Sequence, residues 1–110
     1  MDEQEFRQHA KQAIESLKKS LYEAEGEADF EVAENAGALH VIFDDPPSKF
    51  IVSPNGPARQ IWISAMSNSF KLEWSPKKND FVLTKSSEPI KRLMTRLINE
   101  QLGEDAIRLR

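Results

Sequence analysis

Carboxylates are the most evident chemical resource of this chain. Glu27, Asp29 and Glu31 alternate with apolar positions that include Phe30 and Val32. That period-two pattern predicts an extended strand with an acidic row on one side and a core-facing row on the other. Same-side residues on a strand lie about 6.6 Å apart, so neighbouring carboxylates repel by roughly 0.6 kcal/mol per pair in a water-like dielectric, before salt screening. Two readings fit such a row. It is a charged edge that keeps sheets from pairing with one another, or a surface for hard cations such as Fe²⁺, Mn²⁺, Ca²⁺ or Mg²⁺, which prefer carboxylate oxygens. Metal–oxygen bonds of about 2 Å cannot easily gather three carboxylates spread along one strand. Any cation site here is therefore expected to be exposed, shallow, weak and poorly selective.

The acids are unevenly distributed. Residues 1–45 hold twelve of the eighteen acidic residues against four basic ones, a net of −8, and the remainder carries +5, so the total of −3 hides a polarised molecule. Its acidic end should attract cations or a basic protein surface. There is no cysteine, which excludes disulfides, thiolate catalysis and Cys-ligated zinc or iron–sulfur centres. No glycine-rich phosphate loop, serine nucleophile elbow or histidine–nucleophile pair is present. Exposed acids on a ridge also lack the burial that tunes a catalytic pKa. His9 and His40 have no third ligand at metal spacing and read as ordinary surface or boundary residues. Trp62 is different, because alternation with Ile61 and Ile63 turns it outward beside Gln60 and Ser64. Either a tail or loop covers it, or it is a protein-recognition hot spot of the kind tryptophan dominates.

The elements that must position these groups follow from periodicity. Phe6, Ala10, Ala13, Ile14, Leu17 and Leu21 recur every three or four residues and predict an amphipathic helix of about five turns, stopping near Gly26. Extended segments follow: the acidic strand, Leu39–Phe43 after a turn at Glu34–Gly37, Lys49–Ser53 with its facing unassigned, then strands carrying Ile61 and Ile63, Phe70, Leu72 and Trp74, and Phe81 and Leu83. Asp44–Pro47 and Pro54–Pro57 read as loops. After Pro89 the spacing of Ile90, Leu93, Met94, Leu97 and Ile98 is helical again, with a stop near Gly103. The expected fold class is α+β: an α/β sandwich in one domain over residues 1–110, with two helices on one face of a five- to six-stranded antiparallel sheet and the other face open. With 39% hydrophobic and 30% charged residues, the 110-residue chain should fold alone. No apolar run approaches the ~20 residues of a membrane span, and Met1-Asp2-Glu3 is unlike a signal or transit peptide. The expected compartment is the cytoplasm.

Gln60-Ile61-Trp62-Ile63-Ser64 resembles the Gln-x-Trp strand of frataxins. The flanking order of acidic helix, acidic strand, Gly37-Ala38-Leu39 turn and strand, and C-terminal helix is similar over nearly the whole chain, in the short bacterial, CyaY-type form. The resemblance implies a protein that binds iron (Fe²⁺ or Fe³⁺) weakly, needs no organic cofactor, and modulates iron–sulfur cluster assembly without catalysing it. Its implied partners are a cysteine desulfurase and the cluster scaffold protein, not nucleic acid or a membrane, and its implied state is a monomer with iron-dependent oligomers. Carried over by residue, the iron ridge is Glu23, Glu25, Glu27, Asp29 and Glu31, and the partner contacts are Gln60, Trp62 and Lys71. Lys18-Lys19 stands where bacterial members usually carry an acidic pair, and Tyr22 where a further acid is common, so the ridge is thinner here. Ser53-Pro54-Asn55 replaces an Asn-x-Gln-like stretch, leaving Asn55 as the candidate for that contact. Two other functions compete with this one. The first is a metal-independent module whose acids dock on a basic partner, which Lys18-Lys19 favours; the second is an iron-oxidising enzyme, for which no di-iron carboxylate and histidine constellation is present.

Overall fold

The computed structural model describes all 110 residues. Helix α1 runs Glu3–Glu25. Asp2 caps it, accepting the Glu5 N–H at 2.8 Å, and that backbone bond is the main cause holding the Asp2 carboxyl below its ordinary pKa. Six strands follow in a meander: β1 (Glu31–Asn35), β2 (Ala38–Asp44), β3 (Pro47–Asn55), β4 (Gln60–Ala65), β5 (Asn68–Ser75) and β6 (Asp80–Leu83). They form one antiparallel sheet in chain order, so β1 and β6 are its two edges. Helix α2 spans Ile90–Leu102 and closes with Gly103 at φ 75°, whose N–H bonds the Asn99 carbonyl at 2.9 Å.

Local chemistry sets the register. The β1–β2 turn places Ala36 at φ 52° and Gly37 at φ 83°, the paired left-handed conformation that matches strand twist in a two-residue hairpin. The β4–β5 turn does the same with Met66 and Ser67, residues that carry no obvious turn signal. With these registers fixed, Leu39, Val41, Phe43, Phe50, Val52, Ile61, Ile63, Leu72 and Phe81 all face the helices and are buried. They meet Phe6, Ala10, Leu17 and Leu21 of α1 and Leu93, Met94, Leu97 and Ile98 of α2 in one core. Each large apolar side chain so buried contributes about 1.5–3 kcal/mol. The predicted α/β sandwich, two helices against a six-stranded antiparallel sheet, is the observed fold.

Two expectations are corrected, and the residues after Gly103 add a feature. The acidic strand starts later than alternation implied, because β1 begins only at Glu31. Glu27 and Asp29 lie in a turn, where the Glu27 N–H bonds the Ala24 carbonyl at 2.9 Å and the Phe30 N–H the Ala28 carbonyl at 3.1 Å. Strand β3 is longer than expected and runs through Pro54 and Asn55, which pair with Ile61 and Gln60. Its facing is also settled: Phe50 and Val52 point inward and Ile51 outward, opposite His40 and Ser64. Finally, the chain does not end at α2. Residues 104–110 fold back along it, with Ile107 and Leu109 only 6% and 8% exposed. The Asn99 side chain accepts the Ala106 and Ile107 N–H groups at 3.1 Å each and donates to the Ile107 carbonyl at 3.0 Å. Thr95 Oγ1 accepts the Leu109 N–H at 3.1 Å, and Ser20 Oγ of α1 donates to the Arg110 carbonyl.

Candidate partner face and acidic edge

The face of the sheet away from the helices carries the first site. Register places Trp62 of β4 between Ser53 of β3 and Lys71 of β5, and Gln60 between Asn55 and Glu73. The tail lies against the helices, so nothing covers Trp62, which is 36% exposed. The three residues expected to contact a partner are thus brought together. Trp62 Nε1 donates to Gln60 Oε1 at 2.8 Å, and Lys71 Nζ sits 5.0 Å from the indole centroid. A cation–π contact of that kind contributes about 0.5–1 kcal/mol at an exposed site. Gln60 Nε2 in turn reaches Glu73 Oε1 at 3.5 Å. With its N–H engaged and one charge held over the ring, Trp62 sits in one orientation and offers a partner mainly its apolar ring.

Alternation also turns Glu73, His40 and Ile42 outward, and of the neighbours only Ile51, on the strand whose facing it leaves unassigned, escapes it. Glu73 completes the polar array, and half-buried His40, Ile42 and Ile51 extend the face across β2 and β3. The missing signal was the facing of β3; once Ile51 is paired with Ser64, its outward position follows. Asn55 belongs to the same row, but its Oδ1 accepts the Ala58 N–H at 2.9 Å and so holds the β3–β4 loop.

The acidic edge is built differently. Glu23 is exposed on the last turns of α1, Glu27 and Asp29 lie in the turn that follows, and Glu31 is on β1 opposite Ile42. Glu25 is half-buried, and its Oε2 accepts the Val32 N–H at 2.6 Å, tying the end of α1 to β1. One of the five predicted iron ligands therefore has a structural bond. No three His, Asp or Glu side chains converge in a way that could hold a metal ion. Lys18, one of the three departures from an acidic helix, bridges Glu15 of α1 and Glu34 of β1 at 3.2 Å each. The Glu15 bond first, and the Glu34 bond second, raise the Lys18 ammonium above its ordinary pKa. The histidines lie on opposite sides of the sheet. His9 stacks on Trp74 with ring centroids 3.8 Å apart on the helix side, whereas His40 is on the open face.

A two-layer sandwich, an outward Gln-x-Trp strand and an acidic helix-to-strand edge together define a protein class. The frataxin-like domain model matches residues 1–104, and the chain belongs to that family. Its likeness is to the CyaY type. It is 32% identical over 104 residues to the iron–sulfur cluster assembly protein CyaY of Dechloromonas aromatica (strain RCB), covering 94% of this chain and 95% of that one. It is 29% identical over 93 residues to the CyaY of Pseudomonas aeruginosa, covering 84% and 86%. Among solved structures, the frataxin from Psychromonas ingrahamii superposes with a TM-score of 0.80 at 21% identity, over 94% of each chain, which establishes the shared fold.

Proposed function

We propose that this chain is an iron-responsive regulator of iron–sulfur cluster assembly that works by binding and not by catalysis. It docks on a cysteine desulfurase and its scaffold through the Gln60, Trp62 and Lys71 face, and collects Fe²⁺ weakly along Glu23, Glu27, Asp29 and Glu31. The observation that carries this reading is the exposed Trp62, oriented by Gln60 and Lys71 on a face that no element of the chain covers. Membership of the frataxin-like family, with relatives named for iron–sulfur cluster assembly, supports the same partners. Iron is cargo in this role and not a resident cofactor. The donor set suits it only loosely, since the carboxylates are hard oxygens spread over a solvated surface without convergence. No helix is long and apolar enough to cross a membrane, and a bacterial cytoplasmic setting fits the partners proposed.

A second reading has its own support. Lys18 already neutralises part of the acidic surface from within, and Glu25 is committed to Val32. Both favour an acidic edge that docks on a basic partner groove without metal. Capture of a cysteine desulfurase from a native-like lysate, with and without Fe²⁺, separates the two. Capture that strengthens with Fe²⁺ supports the iron-responsive regulator; equal capture in both supports metal-independent docking; no capture in either contradicts both.

A further inference from the structure

The sheet edge opposite the acidic one carries a surface of its own. Strands β1 and β6 are separated by five inter-strand steps, roughly 24 Å. Beyond β6, a depression of about 540 Å³ is lined by Lys78, Lys85, Ser86, Ser87, Arg92 and Arg96, with Glu88 as its one carboxylate. Glu88 is already engaged, accepting from Arg96 Nη2 at 2.9 Å and Nε at 3.2 Å. That pair lifts the Arg96 pKa and leaves the two groups mutually neutralised. Lys78, Lys85 and Arg92 take part in none of the five ion pairs of the molecule. Three cations without an ion-pair partner thus share one small surface.

The frame beneath them is tied down. Lys78 Nζ donates to the Ser87 carbonyl at 2.9 Å, joining the β5–β6 turn to the segment before α2. The Ser87 N–H bonds the Leu83 carbonyl at 2.8 Å, and the Leu83 N–H bonds the Glu88 carbonyl at 2.9 Å. Pro89 pairs with Val82 along the outer side of β6, and a proline offers no N–H to an incoming strand. The edge is therefore closed to strand addition, and an occupant must be read through side chains.

We propose that Lys78, Lys85 and Arg92 form a second docking site, which takes a short acidic segment of a partner protein. Complementary charge selects such a segment. A nucleic acid fits less well: a duplex presents a phosphate every ~1.7 Å, and a chain of net charge −3 repels a long polyanion as a whole. A few aspartates or glutamates on a folded partner stay within the basic edge. Together with the acidic edge, this makes the molecule bipolar, able to touch a basic and an acidic surface at once.

The test is an NMR titration of the full chain at low salt with a short poly-glutamate peptide, alongside an oligothymidylate of equal charge and inorganic phosphate. The expected result is fast-exchange shifts at Lys78, Lys85–Glu88 and Arg92 with the peptide. Binding should weaken several-fold in the Lys85→Gln, Arg92→Gln double variant, whose unchanged remaining spectrum reports an intact fold. Absence of shifts, shifts that persist in the double variant, or a stronger response to the oligonucleotide or to phosphate would each overturn the assignment to an acidic protein segment.

Discussion

The open face around Trp62 and the acidic edge around Glu27 are both charged and exposed, yet they are organised on opposite principles. On the open face, antiparallel register brings side chains from β3, β4 and β5 into rows, and hydrogen bonds fix an aromatic ring among them. At the edge, the acids are distributed over a helix end, a turn and a strand start, and no three converge. The ladder orders the backbone of a sheet face, and here Gln60 and Lys71 hold the Trp62 ring on it, so less conformational entropy is left to lose on binding. A helix-to-strand turn carries charge density without geometry. Shape-selective recognition therefore belongs to the first region, and attraction of cations or basic surfaces to the second.

The largest contrast is between the two tryptophans. Trp74 points inward, packs on Phe81 with centroids 5.3 Å apart and lies under His9, so Trp74→Ala should cost about 3 kcal/mol. Trp62→Ala removes an outward ring and a cation–π contact, and should cost about 1 kcal/mol or less. Urea denaturation of both variants checks this, and equal losses would mean that Trp62 is part of the core.

Within the acidic edge, Glu25 should behave unlike its neighbours. Glu25→Ala leaves the Val32 N–H without its acceptor and is expected to destabilise by about 1–3 kcal/mol. The joint replacement Glu27→Gln, Asp29→Asn and Glu31→Gln should instead raise the melting temperature slightly at low salt by relieving repulsion, while weakening cation binding. Thermal melts at two ionic strengths give the answer; a clearly less stable triple variant would show that these acids hold the fold together.

Much of the fold is legible in the sequence. Both helices, the antiparallel order and the inward set from Phe6 to Ile98 follow from periods of 3.6 and 2, and Trp62 is outward as alternation requires. The misses have physical reasons. Phe50, Ile51 and Val52 put apolar side chains on both faces of β3, so no alternation could orient it. The tail reads as polar because only Ile107 and Leu109 are buried, and its anchors are scattered single side chains, those of Asn99, Thr95 and Ser20 among them. Glu25 reads as a ligand because a carboxylate that accepts a backbone N–H is indistinguishable, in sequence, from one that awaits a metal.

A smaller effect is expected at Asp80, at the start of β6. Burial raises its carboxyl pKa despite the Phe81 N–H at 2.8 Å and the nearby Lys91 charge. A raised acid pKa means that ionisation is penalised in the folded state. The penalty is fully present above the folded pKa and is relieved as pH falls toward the ordinary value of 3.8. Asp80→Asn, which keeps an acceptor for Phe81, should therefore raise the melting temperature modestly at pH 7, with the gain fading as pH falls toward about 4 and absent below it. A gain independent of pH would point to a cause other than ionisation.

The most direct test of the division between the two regions is the affinity of the Trp62→Ala variant for a cysteine desulfurase–scaffold assembly, measured by titration beside the unmodified chain and the Glu27, Asp29, Glu31 triple variant. If the open face recognises the partner by shape, Trp62→Ala loses most of the affinity at every salt concentration while keeping its far-UV circular dichroism. The triple variant then loses mainly the salt-dependent part. A folded Trp62→Ala protein that binds the assembly with unchanged affinity would contradict this, and would leave the acidic edge as the docking surface.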